Sequence, residues 1–153
     1  MLKIENIEIK HLREVVRVGI EYYEESRFNK AKDLPLDHDV IHDVAKTCIV
    51  SPNVLVRGLF DEDGKLHGFV QAALVPIAWN KRMHCVVNLI YVDKCCKGHD
   101  YGKQFLDNVK EWAKANNCYE RVAGDDAFDP EATGKWLVRQ GYKKVGSHYA
   151  IKI

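Results

Sequence analysis

Residues 84–116 read HCVVNLIYVDKCCKGHDYGKQFLDNVKEWAKAN and contain the pattern that decides the fold. The start of this stretch is rich in Val, Ile and Tyr, which predicts a buried strand over residues 84–93. Apolar residues then recur at helical spacings of three and four, which predicts an amphipathic helix over residues 101–116. They are Tyr101, Phe105, Val109, Trp112 and Ala113. A strand followed closely by a helix is the repeating unit of α/β proteins.

Two glycines, Gly98 and Gly102, lie in the polar turn between this strand and this helix. Glycine removes side-chain bulk, and the first N–H groups of a helix have no intrahelical partners and attract anions. The turn is therefore typical of a phosphate-binding loop. Many α/β proteins place glycines here for packing alone, so the spacing by itself leaves both interpretations open.

The remaining chain predicts further strands and helices around this unit. Strands are expected over residues 3–8, 54–60, 66–75, 118–123, 142–145 and 147–152, and helices over residues 10–26, 35–50 and 131–140. The polar segment 24–32 is interpreted as a loop. This order predicts an α/β (α+β) fold whose central mixed, mostly antiparallel sheet has six to seven strands flanked by about four helices.

Two helices have predicted buried faces. The first is expected to bury Leu12, Val15, Val16, Ile20 and Tyr23, and the second Leu36, Val40, Val44 and Cys48.

Composition places the chain among ordinary globular proteins. Its 153 residues suit one domain over residues 1–153, and a net charge of +1 gives no reason to expect a nucleic-acid partner. No apolar run reaches the roughly 20 residues that a membrane helix needs. The polar start lacks the hydrophobic segment of a signal peptide, and the five cysteines have no disulfide spacing. These features favour a reducing, cytoplasmic location.

No metal site is expected from the sequence. His38 and His42 stand one helical turn apart without an evident third ligand. The adjacent Cys95 and Cys96 lack the CxxC spacing of zinc sites.

Three motifs make the chain resemble the GNAT superfamily of N-acetyltransferases over nearly its whole length. Residues 97–102, KGHDYG, fall in the register of the family's Arg/Gln-x-x-Gly-x-Gly/Ala turn. Residues 90–93, IYVD, resemble the stretch at the end of the fourth strand, and residues 136–142, WLVRQGY, resemble the family's Phe-Tyr-x-Lys-x-Gly-Phe element.

The resemblance implies a binding site for acetyl-coenzyme A at the glycine turn. Backbone amides there would hold the pyrophosphate, with charge added by the lysines. The implied cofactor-binding residues are Ile90, Tyr91, Val92, Lys97, Gly98, His99, Asp100, Tyr101, Gly102 and Lys103. This chain departs from the family pattern at three positions. Asp100 replaces the middle glycine, with capping of the next helix as its expected role. Leu137 replaces a tyrosine thought to protonate the leaving thiolate, and Pro130 replaces an asparagine that often contacts the pantetheine arm.

The resemblance also implies that an amine attacks the thioester directly, which requires a base and an acid. Glu25, beside Glu24 at the end of the first helix, is the candidate base, although a solvated helix end explains the same carboxylates. Tyr91 is the candidate acid, or a packed strand tyrosine, and Tyr149 is a weaker choice. Asp125 and Asp126 are candidates for attracting a cationic acceptor, and Trp79 for lining its pocket.

The function expected from the resemblance is acetyl-CoA-dependent N-acetyl transfer to an amine of a small molecule or a protein. The alternative is a catalytically inactive GNAT-fold binding or structural module, which the substitutions at Asp100, Pro130 and Leu137 favour. A homodimer is compatible with the resemblance, and the sequence does not identify the acceptor.

Overall fold

Five strands form one sheet in the computed structural model, which describes residues 1–32, 34–124 and 129–153. The strands are β1 (Lys3–Asn6), β2 (Val54–Phe60), β3 (Leu66–Ile77), β4 (Asn80–Val92) and β5 (Glu120–Ala123), and they lie in sequence order across the sheet. β1 to β4 pair antiparallel, whereas β4 and β5 pair parallel. The parallel pair requires a crossover, which a helix supplies.

Five α-helices are present in the described residues: α1 (Leu12–Glu25), α2 (Arg27–Ala31), α3 (His38–Val50), α4 (Tyr101–Ala115) and α5 (Pro130–Arg139). Short 3-10 turns precede α1 at Ile9–His11 and follow β4 at Lys94–Cys96. None of the helices in these three ranges of residues is long and apolar enough to cross a membrane.

Helices cover both faces of the sheet, because side chains alternate between the two faces along each strand. On one face, Phe105 and Val109 of α4 and Leu137 of α5 belong to the same core as Leu55 and Leu59 of β2. The opposite face carries a second core, built from Val15 and Val18 of α1, Val56 and Phe60 of β2, and Phe69 and Tyr91, with residues of α3 packed against it. The prediction of a mixed, mostly antiparallel sheet between helices is confirmed.

The predicted strand count of six to seven was too high. Residues 142–153, which were expected to form the last two strands, have no strand structure. Alternating apolar residues form a strand only where a free sheet edge and an apolar surface are within reach. Tyr142 packs against the core, but beyond it the alternating side chains stand in solvent, with Tyr149 and Ile151 exposed by 94% and 92%.

Two helix predictions were also wrong. The segment expected to be a loop contains α2, which is one of the five α-helices of the described residues. The buried face of α3 was assigned incorrectly, since Val40 and Val44 are each 56% exposed. Of the predicted face, Cys48 does pack against the core, where Ala45 and Ile49 accompany it. A helix with apolar residues on several faces does not reveal which face the sheet will cover.

An ion-pair network fixes α1 to the start of β3. The Arg17 guanidinium donates to both carboxylate oxygens of Glu14, at 2.8 and 3.0 Å, and to the Leu66 carbonyl oxygen at 2.7 Å. Glu14 in turn accepts the Leu66 N–H at 3.0 Å. The Arg17 hydrogen bonds lower the pKa of Glu14 against the opposing effect of its partial burial. These bonds set the position of α1 above the sheet.

Replacing Glu14 by Gln should reduce stability in a pH-dependent way. Because the pKa of Glu14 is lowered on folding, its contribution is present above the ordinary value of 4.5 and is lost as pH falls through the folded value. We expect Glu14→Gln to lower the free energy of unfolding by about 1–2 kcal/mol at neutral pH. In urea titrations, this difference should shrink as the pH drops below 4.5.

Glu111→Gln is the matched control, because Glu111 forms an exposed helical pair with Lys114 at 3.7 Å. Exposed pairs contribute little, so this variant should match the wild type at every pH. Equal behaviour of the two variants would contradict the anchoring role of Glu14.

Gly68 allows β4 to lie close to β3 at its carboxyl end. A Cβ at Gly68 would stand 2.4 Å from the Tyr91 carbonyl oxygen and 3.1 Å from the Val92 Cα, both backbone atoms of the paired strand. We expect Gly68→Ala to lower the free energy of unfolding by about 2 kcal/mol, because strand backbone must move to admit the methyl group. Gly146→Ala is the control, since no described atom lies within 4 Å of its Cβ position. Equal unfolding midpoints for the two variants in chemical denaturation would refute this account.

Candidate active site

β4 and β5 separate at their carboxyl ends. Their pairing begins at His84 with Glu120 and ends at Val87 with Ala123, yet β4 continues to Val92. A register shift between β3 and β4 leaves Asn88 unpaired at the point of separation. Such bulges bend a strand and break the ladder locally. The last residues of β4 therefore keep β3 as a neighbour on one side and face a gap on the other.

A cavity of about 210 Å³ occupies this gap. The end of β4 forms one wall, α4 contributes Gly102 and Leu106, and α5 contributes Thr133, Trp136 and Leu137. Tyr22 of α1 closes one end beside Tyr91. Most of the lining is apolar, and the lining residues that carry a hydroxyl group are Tyr22, Tyr91 and Thr133. This composition is typical of small-molecule sites.

The N-terminus of α4 lies beside the cavity and lacks a side-chain cap. Asp100 occupies the N-cap position with a left-handed φ of 63°, and its carboxylate makes no capping hydrogen bond. By contrast, Asp37 and Asp129 each accept backbone N–H groups at the starts of α3 and α5. The expectation that Asp100 caps its helix was therefore wrong, because the left-handed backbone directs its side chain elsewhere. The first N–H groups of α4 remain available to a ligand.

The two glycines of the turn have different surroundings, open space at Gly98 and a close neighbour at Gly102. Gly98 has a φ of 88°, a conformation that glycine adopts without strain, and no described atom lies within 4 Å of its Cβ position. A Cβ on Gly102 would instead stand 3.0 Å from the Trp136 ring. Gly102 thus serves the packing of α4 against α5 as well as bordering the cavity. A larger residue there would disturb this packing whether or not a ligand binds.

The other residues of the predicted coenzyme site lie along the same turn and strand. Ile90, Tyr91 and Val92 line the cavity, while Lys97, His99 and Asp100 are exposed around the turn. The Lys103 ammonium lies 3.1 Å from the Asp107 carboxylate, one helical turn further along α4. The His99 and Tyr101 rings are 6.1 Å apart.

The two candidate catalytic residues, Glu25 and Tyr91, are in contact. The Tyr91 hydroxyl lies next to the Glu25 carboxylate at the end of α1, close enough for the two groups to influence each other. The tyrosine ring is held edge-on to Tyr22, with 6.0 Å between centroids, and against Phe69 at 6.4 Å. Burial and the neighbouring Glu25 carboxylate raise the pKa of Tyr91 well above its usual range. Tyr91 therefore keeps its proton at neutral pH.

Other candidates lie away from the cavity or cannot be assessed. Trp79 is in the two-residue turn between β3 and β4 and is 89% exposed. It precedes β4, whereas the cavity lies at the far end of that strand, so Trp79 is not among the residues that line this cavity. Tyr149 is in the exposed C-terminal segment. Asp125 and Asp126 lie outside the described residues.

Sequence reasoning missed Tyr22 and Thr133 as cavity residues. Tyr23 had been assigned to the buried face of α1, but its hydroxyl donates to the Leu34 carbonyl oxygen at 2.5 Å in an exposed position. The buried positions Val15 and Val18 lead at helical spacing to Tyr22. The sequence contains this spacing, but because Tyr22 and Tyr23 are adjacent, it gives no reason to prefer one of them for the buried face of α1.

The fold is similar to those of solved acetyltransferases. A ribosomal-protein-alanine N-acetyltransferase from Brucella melitensis biovar Abortus 2308 has a TM-score of 0.75 at 18% identity, with 100% of each chain covered. An aminoglycoside antibiotic 6'-N-acetyltransferase from Acinetobacter baumannii has a TM-score of 0.75 at 14% identity, over 100% of this chain and 98% of that one. An aminoglycoside N-acetyltransferase solved in complex with CoA has a TM-score of 0.76 at 14% identity, over 100% and 95%.

No curated protein sequence matches this chain. By contrast, the sequence model of one protein family, the acetyltransferase (GNAT) family, matches residues 16–142. This span contains the cavity walls, the glycine turn and both candidate catalytic residues. Because the match covers most of the 153 residues, the chain belongs to the GNAT family of acetyltransferases.

Proposed function

We propose that this protein is an N-acetyltransferase that moves an acetyl group from acetyl-coenzyme A to an amine. One observation carries the proposal. The cavity between the separated ends of β4 and β5 connects the uncapped start of α4, at Gly102, with the hydroxyl-bearing Tyr91. An anion site and a proton donor thus border one apolar cleft, as transfer from a phosphate-bearing thioester requires.

The glycine turn fits the phosphates of the coenzyme. The free N–H groups at the start of α4 and the positive end of its helix dipole favour an anion. Open space at Gly98 lets a phosphate approach the backbone closely. The exposed Lys97 adds a positive charge. Lys103 is less available, since it already pairs with Asp107.

Acetyl-coenzyme A supplies an activated thioester carbonyl to such a site. The end of β4 supplies the group that polarises it. Beyond Val87, β4 has no pairing with β5, so backbone N–H groups of this segment that point away from β3 are free to donate to an oxygen in the cavity. Fixed donors of this kind stabilise the charge that develops on a carbonyl oxygen.

Glu25 and Tyr91 form a proton-transfer pair in this proposal. A bound ammonium first releases one proton to solvent, which frees its lone pair for attack. Glu25 then accepts the second proton from the attacking nitrogen, directly or through a water, and Tyr91 donates its proton to the leaving thiolate. Because the two side chains are neighbours, Glu25 then returns a proton to Tyr91, which restores both groups. Leu137 lies in the cavity wall without a polar group, so Tyr91 supplies the hydroxyl that many relatives carry at the Leu137 position.

The acceptor is proposed to be a cationic amine. The last turn of α1 contains Glu24 and Glu25 and no basic residue. Carboxylates are unfavourable at the negative end of a helix dipole, so a positive ligand would relieve this arrangement. Lys94 approaches Glu25 only to 3.8 Å. Small amines and protein amino groups both satisfy this chemistry, as the aminoglycoside and ribosomal-protein substrates named for two similar structures illustrate.

Coenzyme binding can be tested at Asp100. Its carboxylate stands at the helix start, where it repels phosphate, and its left-handed backbone suits glycine. We expect Asp100→Asn to bind coenzyme A about fivefold more tightly in isothermal titration, because a like charge is removed. Asp100→Gly should bind at least as tightly and also raise the unfolding midpoint. If neither variant changes the affinity, the phosphates do not lie on this turn.

The proton-transfer pair can be tested by thiol release from acetyl-coenzyme A in the presence of a panel of amines. The panel would include polyamines, an aminoglycoside and peptides with free N-termini. We expect Glu25→Gln and Tyr91→Phe each to lower kcat about 100-fold while leaving coenzyme A affinity unchanged. The double variant should be no slower than the slower single variant, because the two groups act in one path.

Glu24→Gln is the matched control, since it makes the same change at the adjacent residue of the helix end. Equal rates for Glu24→Gln and Glu25→Gln would remove Glu25 as the base. Tight coenzyme binding without thiol release for any amine would favour the alternative, a GNAT-fold module that binds the coenzyme without catalysing transfer.

A further inference from the structure

Four side chains with metal-binding atoms converge beside the glycine turn. They are His67 of β3, Asp93 at the end of β4, and Cys95 and Cys96 of the following 3-10 turn. One donor atom from each lies within 4.8 Å of the other three. We propose that these residues bind a divalent metal ion of the zinc type. We call them the His67–Cys96 cluster.

Backbone hydrogen bonds hold the elements that carry the cluster. The Asp93 N–H donates to the His67 carbonyl oxygen at 2.8 Å, which joins the end of β4 to β3. The Cys96 N–H donates to the Asp93 carbonyl oxygen at 3.1 Å, which closes the 3-10 turn. Strand pairing and a tight turn therefore set the four side chains, and no long loop has to be ordered when a metal binds.

The sulfur–sulfur and sulfur–nitrogen distances in the cluster are close to those of a tetrahedral site. With zinc–sulfur bonds of about 2.3 Å, two thiolate ligands stand about 3.8 Å apart. The Cys95 and Cys96 sulfurs are 3.4 Å apart, and the Cys95 sulfur is 3.8 Å from His67 Nδ1. The Asp93 carboxylate is closer to both groups. Its Oδ2 lies 2.8 Å from His67 Nδ1, and its Oδ1 lies 2.9 Å from the Cys95 sulfur. These shorter contacts are hydrogen bonds, and their protons are the ones that a metal displaces.

Asp61 orients the histidine for this role. His67 Nε2 lies 2.9 Å from an Asp61 carboxylate oxygen, on the side of the ring away from the cluster. The other Asp61 oxygen accepts the Asp63 and Lys65 N–H groups at 2.9 and 3.0 Å, so the turn between β2 and β3 holds it in place. A carboxylate that accepts one ring N–H directs the other nitrogen to the metal and makes it more basic, as in many zinc sites.

The donor set selects the metal. Two thiolates and an imidazole favour zinc or a similar transition metal, whereas magnesium and calcium require oxygen ligands. All five cysteines are free, so both sulfurs are available. Zinc with two thiolates and one carboxylate carries one net negative charge, and the exposed Lys94 and Lys97 adjoin the cluster in sequence to offset it.

The position of the cluster suggests what the metal does. Asp93 directly follows the cavity wall at Val92, and Cys96 directly precedes Lys97 of the glycine turn. A bound metal would therefore fix the base of the turn to β3. This consequence for the coenzyme rests on the proposed function, whereas metal binding itself does not.

The experiment begins with protein freed of metal by a chelator and kept under a reductant. Titration with Co²⁺ should give one equivalent bound, with the intense visible bands of tetrahedral cobalt and the near-ultraviolet bands of cobalt–thiolate bonds. Zn²⁺ should then displace the cobalt and abolish these bands. Cys95→Ser should lower the intensity of the thiolate bands by about half, because Cys96 remains as the second thiolate, and it should bind Zn²⁺ at least 100-fold more weakly in competition with a chromophoric chelator.

Cys95 is exposed, so its replacement should leave the fold intact, which circular dichroism checks. Asp61→Asn should weaken Zn²⁺ binding by about 10- to 100-fold without losing the thiolate bands, because it removes only the carboxylate that orients His67. Cys48→Ser and Cys118→Ser are the matched controls and should bind as the wild type does. Absence of thiolate bands in the wild type, or equal loss of affinity in the controls, would overturn the proposal.

Zinc binding and its effect on coenzyme A affinity can be tested separately. If Zn²⁺ binds and fixes the turn, coenzyme A should bind several-fold more tightly to the zinc-loaded protein than to the metal-free protein. Zinc binding with no change in coenzyme affinity would retain the metal site and remove its coupling to the turn.

Discussion

The separation of β4 from β5 is the constraint on which the candidate site depends. β4 stays paired with β3 as far as Val92, but its parallel pairing with β5 stops at Val87. Because a sheet normally satisfies both edges of an inner strand, this separation leaves polar backbone facing a gap. The helices α4 and α5 cover that gap with apolar side chains and leave a cavity between them. The short turn between β4 and α4 therefore places the start of α4 next to the gap between β4 and β5.

The opposite face of the sheet holds the two candidate catalytic residues. Tyr91 belongs to the core under α1, and its hydroxyl meets Glu25 at the end of that helix. The position of α1 is in turn fixed by the bonds of Glu14 and Arg17 to Leu66. α1 is therefore anchored to the sheet near its start and carries the candidate base, Glu25, at its last residue. The bonds that stabilise the position of α1 also set the position of Glu25.

Much of the fold could be predicted from local patterns. The hairpin of β2 and β3 and the strand–turn–helix from β4 to α4 follow from apolar periodicity and glycine positions, which act within a few residues. The same reasoning failed for α3, where apolar residues on several faces hid the buried one, and after Gly141, where alternation predicted strands that have no partner in this structure. Asp100 was assigned correctly to the N-cap position, but its capping bond was not formed because its backbone is left-handed.

By itself, the sequence determined the class of fold, the glycine turn and the residues worth testing, since these depend on residue type and spacing along the chain. Only the tertiary structure decided that Glu25 meets Tyr91 and that Tyr22 rather than Tyr23 borders the cavity. It also brought His67 from β3 to Asp93, Cys95 and Cys96, where the sequence had indicated no metal site. These contacts join residues that are far apart in sequence, and strand register and helix placement set their distances. No local pattern contains that information.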